Sequence, residues 1–158
     1  MFPNLTVADN LRMSTFTGTP FETVCERAFH HFPRLRDRAK QIAGTMSGGE
    51  QQMLSLARAL ATDPALLLVD ELSMGLAPLI VSELYEHVRG VADTGVTIVL
   101  VEQFGNDVAE VADRAGIMLH GRIQHEGAPA EIGDRLAAAY LGEQLSDVSD
   151  RATDLTTT

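Results

Sequence analysis

Apolar residues recur at three- and four-residue spacing in several stretches of the chain and gather into short unbroken runs in others, a pattern of alternating helices and strands. Thr6-Val7-Ala8-Asp9 has the Ser/Thr-x-x-acid form of a capping box and opens a helical segment through Leu11, Met13 and Phe16, which Gly18-Thr19-Pro20 breaks. Val24, Ala28 and Phe29 on one face predict a second helix over residues 21–31, ended by Pro33. Residues 34–40 read as a short basic helix, and Gly44 closes this helical region.

From Ser47 the texture changes. Met53, Leu56, Ala57 and Leu60 mark a helix over residues 50–61. Leu66-Leu67-Leu68-Val69 is too short and too uniformly apolar for an amphipathic helix, so it reads as a strand buried on both faces. Pro78 suits a first helical turn, and Ile80, Leu84, Val88 and Val91 continue that helix until Gly95. Residues 96–101 form a second β-branched, buried strand. A short helix around residues 107–114 leads to a hairpin of Ile117-Met118-Leu119, a His120-Gly121 turn and Ile123, and a last helix spans residues 129–141. Strands alternating with helices predict an α/β fold with a parallel sheet. The division expected is a helical subdomain at 1–46, a core at 47–142 and a disordered tail at 143–158, where apolar side chains are few.

Composition narrows the function. Twelve Lys plus Arg against 22 Asp plus Glu give a net charge of -10, and no basic stripe is present, which argues against a nucleic-acid binder. The apolar runs fall far short of the roughly 18 residues of a membrane span, and the start Met1-Phe2-Pro3-Asn4 carries no secretory signal. Cys25 is the only cysteine, which suits a reducing cytosol. Lys40 is the only lysine and follows Ala39, so no Gly-Lys-Ser/Thr phosphate loop occurs among these residues. His30, His31, His87, His120 and His125 show no metal-ligand spacing with Cys25. The basic residues 34–40 read as a solvated face or a contact for acidic partners.

Two segments carry candidate chemistry. In Ser47-Gly48-Gly49-Glu50-Gln51, adjacent glycines before a helix let backbone N–H groups approach an anion, and the positive end of the helix favours negative charge. The same Ser47 to Glu50 spacing also serves a plain capping box with no ligand. Asp70-Glu71 emerges at the carboxyl end of the first strand, where ligands bind in open parallel sheets. One carboxylate there could hold Mg²⁺ while its neighbour polarises water, or the pair could cap a helix.

Together, in order and spacing, Ser-Gly-Gly-Glu-Gln-Gln, a helix, four apolar residues and Asp-Glu resemble the signature motif and Walker B of ATP-binding-cassette (ABC) ATPases. Ser73-Met74-Gly75-Leu76-Ala77-Pro78 stands where that family has its D-loop, and Gln103 stands at the switch position, histidine in most members. Glutamine there, with Gly-Leu-Ala-Pro after Walker B and Phe-Pro-Asn-Leu-Thr-Val at the start, is similar to importer ATPases for branched-chain amino acids, amides and urea. The likeness runs from Met1 to about Leu141 and implies an incomplete P-loop NTPase core with a helical subdomain. Leu72 replaces the family's usual proline, and the counterparts of Walker A, the adenine-stacking aromatic and the Q-loop would lie before Phe2.

The resemblance implies the roles. Ser47, Gly48 and Gly49 would contact the γ-phosphate of ATP held by a partner subunit, with Glu50 and Gln51 flanking the helix start and Ser73 and Gly75 in the D-loop at the subunit interface. Asp70 would assist Mg²⁺, Glu71 would be the general base, worth about 10²–10⁴ in rate, and Gln103 would sense the γ-phosphate. The implied partners are a second ABC ATPase subunit, as homo- or heterodimer, and transmembrane permease subunits, which place the chain in the cytoplasm on the inner face of the plasma membrane. Without Walker A, the stretch alone is expected neither to bind ATP tightly nor to hydrolyse it, and to be marginally stable, because in the family's sheet order the Walker A strand lies between the strands matching residues 96–101 and 117–119. Three readings remain: the later portion of an importer ATPase, a non-catalytic subunit lending its signature motif in trans, or an inactive remnant.

Overall fold

The computed structural model describes residues 1–103, 108 and 110–132, and the contacts divide the chain into two units, Met1–Gln103 and Phe104–Thr158. In the first unit, α1 (Val7–Arg12) starts at Thr6, whose Oγ1 accepts from the Asp9 N–H, and a 3-10 turn over Met13–Thr17 follows. Gly18, at φ +87°, ends that turn in a left-handed conformation that suits glycine. Buried Asn10 fixes the entry segment: its Nδ2 donates to the Phe2 and Thr6 carbonyls and its Oδ1 accepts from the Phe2 N–H. A bridge between Thr6 and Ile42, with Val7 N–H donating to the Gln41 carbonyl, ties this segment to the chain leading into Ser47.

Helix α2 (Phe21–His31) begins after Pro20 and buries Val24 and Ala28. The basic segment forms one turn only, α3 (Arg34–Asp37), with Leu35 buried, so the helix expected over residues 34–40 stops short. The acids that meet its arginines belong to the chain itself: Arg34 pairs with Glu83 and Arg38 with Glu50. Helix α4 (Gly48–Leu60) buries Met53, Leu54, Leu56, Ala57 and Leu60, packs on α1 and α2, and receives the Ser14 hydroxyl on its Arg58 carbonyl. Residues 1–46 and 47–103 therefore share one compact unit.

Strand β1 (Leu66–Asp70), helix α5 (Pro78–Ala92) and strand β2 (Thr97–Val101) follow, with Pro78 in the first turn of α5 and Gly95, at φ +101°, before β2. The strands pair in parallel with Leu66 opposite Thr97 and Asp70 opposite Val101. Side chains alternate between faces. Leu67 and Ile98 line one interior space with Phe32, Leu56 and Leu60 on one side and Val88 and Val91 on the other.

The opposite face corrects the expectation of strands buried on both sides. Leu66, Leu68, Val99 and Val101 are exposed, Leu68 at 70% and Val101 at 55%. Their composition is that of a doubly covered sheet, but among the described residues of this unit helices cover one face, and β2 pairs only with β1.

In the second unit, β3 (Ala115–Leu119) and β4 (Arg122–Gly127) form an antiparallel hairpin with an irregularity between Ile117 and Met118. His120 (φ +49°) and Gly121 (φ +74°) both take positive φ, the type I′ geometry that matches strand twist. The expected helix around residues 107–114 lies partly outside the described residues, and residues 110, 111, 113 and 114 are turn and bend. The expected helix over 129–141 begins at residue 129; its continuation and the tail at 143–158 lie outside the described residues. Among the described residues, no helix is long and apolar enough to cross a membrane.

Candidate functional site

Ser47 takes extended dihedrals (φ -63°, ψ 158°) as N-cap of α4, and the reciprocal box is complete. Its Oγ accepts from the Glu50 N–H at 3.4 Å, and its own N–H donates to Glu50 Oε2 at 2.9 Å. Glu50 Oε1 also meets Arg38 Nη2 at 2.9 Å. The Ser47 N–H, followed by its hydroxyl and then Arg38 and Arg34, holds the Glu50 carboxyl below the usual glutamate range against an opposing effect of burial. Gln51 is engaged structurally as well, its Nε2 donating to the Met46 carbonyl at 2.9 Å.

The two glycines differ. Gly48 is exposed, and its N–H is among the first amides of the helix, which no helix carbonyl can satisfy. Gly49 is buried, and a Cβ there would fall 2.4 Å from Ile80 Cγ2. Its bareness lets α4 pack against α5, a reason the motif alone does not reveal. A Cβ on Gly48 would come 3.1 Å from Leu76 Cδ2, so the start of α4 also lies against the loop after β1. Gly48, Gln51, Gln52 and Ser55 of α4 share with Met74, Gly75 and Leu76 an open groove of about 410 Å³. The segments expected to be signature motif and D-loop thus form one surface, with Gly75 (φ +75°) at the bend.

The second cluster lies at the carboxyl ends of the strands. Pairing of Asp70 with Val101 brings Asp70 and Glu71 beside Glu102 and Gln103, and the Glu71 N–H extends the ladder to the Val101 carbonyl at 2.9 Å. Asp70 and Glu71 are both exposed, and Glu71 adopts φ +50°, a left-handed conformation costing a non-glycine residue roughly 1–2 kcal/mol. Leu72, at the family's proline position, is buried. Among the described residues no three His, Cys, Asp or Glu side chains converge as a metal site. Asp70 offers a single carboxylate, which fits Mg²⁺ shared with nucleotide phosphates and not a cation caged by protein alone.

Glu102 went unnoticed in the sequence, because nothing in its spacing marks it. Its carboxylate accepts from the Ser73 N–H, the Ser73 hydroxyl and the Tyr85 hydroxyl, linking the end of β2 to the loop after Glu71 and to α5.

Known proteins are similar to this chain in sequence and fold. The ABC transporter family model matches residues 1–73. The high-affinity branched-chain amino acid transport ATP-binding protein BraG of Pseudomonas aeruginosa is 44% identical over 146 residues, 90% of this chain and 63% of that protein. The probable branched-chain amino acid transport ATP-binding protein LivF of Archaeoglobus fulgidus is 36% identical over 84% of this chain and 57% of its own length. A solved nucleotide-free ATP-binding cassette from an ABC transporter superposes with TM-score 0.73 at 26% identity, covering 86% of this chain and 60% of that one. The chain therefore spans about three-fifths of the length of the relatives it matches.

Proposed function

We propose that the chain belongs to the ABC transporter ATP-binding family and is the later portion of an ATP-binding subunit serving an importer of branched-chain amino acids or related amides. The observation that carries this reading is the open groove that Gly48 and Gln51 at the start of α4 share with Met74, Gly75 and Leu76. A surface of this kind suits a ligand held by a second chain. The exposed Ser47 hydroxyl and Gly48 N–H would donate to the terminal phosphate of ATP on an opposing subunit, where the positive helix end favours anionic charge.

ATP supplies the phosphoanhydride whose hydrolysis drives transport. Glu71 would accept a proton from water, Gln103 would hydrogen-bond phosphate oxygen, and Asp70 would give Mg²⁺ one carboxylate. These three act on nucleotide held by their own subunit, and the phosphate loop that would hold it is not among these residues. The signature surface is the half that can act in trans, so the partners proposed are a second ATP-binding subunit and permease subunits that keep the pair at the inner face of the membrane.

The test is to mix the chain with an intact ATP-binding subunit carrying its own Gly-Lys-Ser/Thr loop and to measure ATP hydrolysis. The chain alone should show no turnover, and the mixture should hydrolyse faster than the intact subunit alone. Ser47→Asp should abolish the gain, since Asp caps a helix as well as Ser but sets a carboxylate against phosphate. Equal stimulation by wild type and Ser47→Asp, or turnover by the chain alone, would contradict the proposal.

A further inference from the structure

Glu102 joins two segments that the proposed function uses separately. It lies between the last residue of β2 and Gln103, and its side chain reaches back to the loop that leaves β1. Oε1 accepts from the Ser73 N–H and from the Tyr85 hydroxyl, each at 3.0 Å, and Oε2 accepts from the Ser73 hydroxyl at 2.8 Å. Because Ser73 engages both oxygens, it fixes the plane of the carboxylate as well as its position. Hydrogen bonds to an ionised acceptor are roughly twice as strong as neutral ones. Tyr85 is buried on α5, so the third bond anchors the carboxylate to the core.

Other contacts show how far this anchoring extends. The Leu76 N–H donates to the Ser73 carbonyl and the Met74 N–H to the Glu71 carbonyl, so the loop is a folded turn pinned at its first residue. Leu76 lies against Gly48, which places the far end of the turn on the start of α4. A displacement of Glu102 would therefore reach Ser73, the turn and the groove, and Gln103 is the very next residue.

We propose that Glu102 is a positioning residue that holds the 73–77 turn and Gln103 in a fixed relation, so that the surface facing a partner's nucleotide and the group facing the subunit's own nucleotide respond together. What the two segments face rests on the reading under Proposed function; the coupling itself rests on the three hydrogen bonds of Glu102 and on Gln103 following it directly in the chain.

Amide hydrogen exchange, followed by mass spectrometry on the whole chain without nucleotide, tests it. Glu102→Ala should speed exchange of residues 73–77 by about tenfold or more, the loss expected for hydrogen bonds to a charged group, while α4 keeps its wild-type protection. Glu102→Gln should restore most of the protection, since its carbonyl still accepts from the Ser73 N–H and Tyr85 hydroxyl and its amide can donate to Ser73 Oγ. Glu102→Asp, one methylene shorter, should behave like Ala. Ser73→Ala should raise exchange less than Glu102→Ala and add nothing to it in the double variant. Unchanged exchange at 73–77 in Glu102→Ala, equal loosening of α4, or a Gln variant as fast as Ala would overturn the proposal. Should Glu102→Ala fail to fold, Ser73→Ala and Tyr85→Phe decide it, and wild-type protection at 73–77 in both would count against it. Exchange is read without nucleotide, so its outcome is independent of whether any assembly hydrolyses ATP.

Discussion

Replacing Leu68 by lysine tests the exposed face of the sheet. Fully burying a leucine side chain is worth about 1.5–3 kcal/mol, but Leu68 is 70% exposed, so only about a third of that gain is present. The substitution should thus remove roughly 0.5–0.9 kcal/mol of burial, plus a few tenths for the poorer strand propensity of lysine. A strand covered on both faces would behave otherwise. Truncating its leucine would cost about 2–5 kcal/mol, and an unpaired buried charge would add several more.

The two outcomes are far enough apart for urea unfolding followed by far-UV circular dichroism to separate them. Sedimentation velocity supplies the second reading. Exposed Leu66, Leu68, Val99 and Val101, with the free edge of β2 among the described residues, should make the wild-type chain self-associate as concentration rises. Leu68→Lys should weaken that association. Leu68 and Val99 are opposite each other in the parallel register, so Leu68→Lys with Val99→Glu should go further and recover roughly 0.2–1 kcal/mol through the cross-strand pair. A loss above about 3 kcal/mol for Leu68→Lys in a monomeric chain would refute the one-sided burial. A cooperative, high-melting wild-type monomer would refute the inferred cost of the bare face.

Gly49→Ala should destabilise the chain by about 1–2 kcal/mol, since a Cβ 2.4 Å from Ile80 Cγ2 forces overpacking that exceeds the helix-propensity gain of alanine. In a urea-unfolding double-mutant cycle its cost should shrink by at least about 0.5 kcal/mol on an Ile80→Ala background, and strict additivity would show that the two do not meet. The Glu50 carboxyl is held below its ordinary value first by the Ser47 N–H, so its contribution is complete above the unfolded value of about 4.3 and fades as pH falls through the folded one. Glu50→Gln should flatten the fall in urea midpoint below about pH 4.3, and parallel profiles for the two proteins would show that Glu50 contributes no linkage.

What the sequence conveys depends on whether the cause is local. The bounds of α2 follow from Pro20 and Pro33, and the β3–β4 turn follows from His120-Gly121, because proline and a pair of positive-φ residues restrict the backbone wherever they stand. Helix α4 begins two residues before the bound of 50 read from the sequence, since its start is set by the Ser47 cap. Tertiary causes leave weaker marks. The run Leu66-Leu67-Leu68-Val69 reports that a sheet can be covered on both faces, not that a cover is in place. Arg34 and Arg38 read as a basic patch because Glu83 and Glu50, which meet them, are distant in the chain. Glu102 is one carboxylate among many until the fold brings Ser73 and Tyr85 to it.

The Ser47-Gly-Gly-Glu segment admitted two readings, a helix cap and an anion site, and the geometry makes them compatible. The Ser47 oxygen accepts one hydrogen bond from the Glu50 N–H, and its hydroxyl proton, which helps hold the Glu50 carboxyl down, would turn from that carboxylate to an incoming phosphate. The 3.4 Å length of the contact leaves it a modest constraint on the hydroxyl. Glu50 turns its carboxylate back to the Ser47 N–H and Arg38, which places its negative charge on the cap and the ion pair. Gly49 is committed to the contact with Ile80, so Gly48 and Ser47 remain as the exposed donors. Capping thus pre-orients the donors that an incoming phosphate would meet, and this is why Ser47→Asp is a sharper test than a bulkier substitution. It preserves the cap and the helix while setting a carboxylate where the Ser47 hydroxyl would meet phosphate.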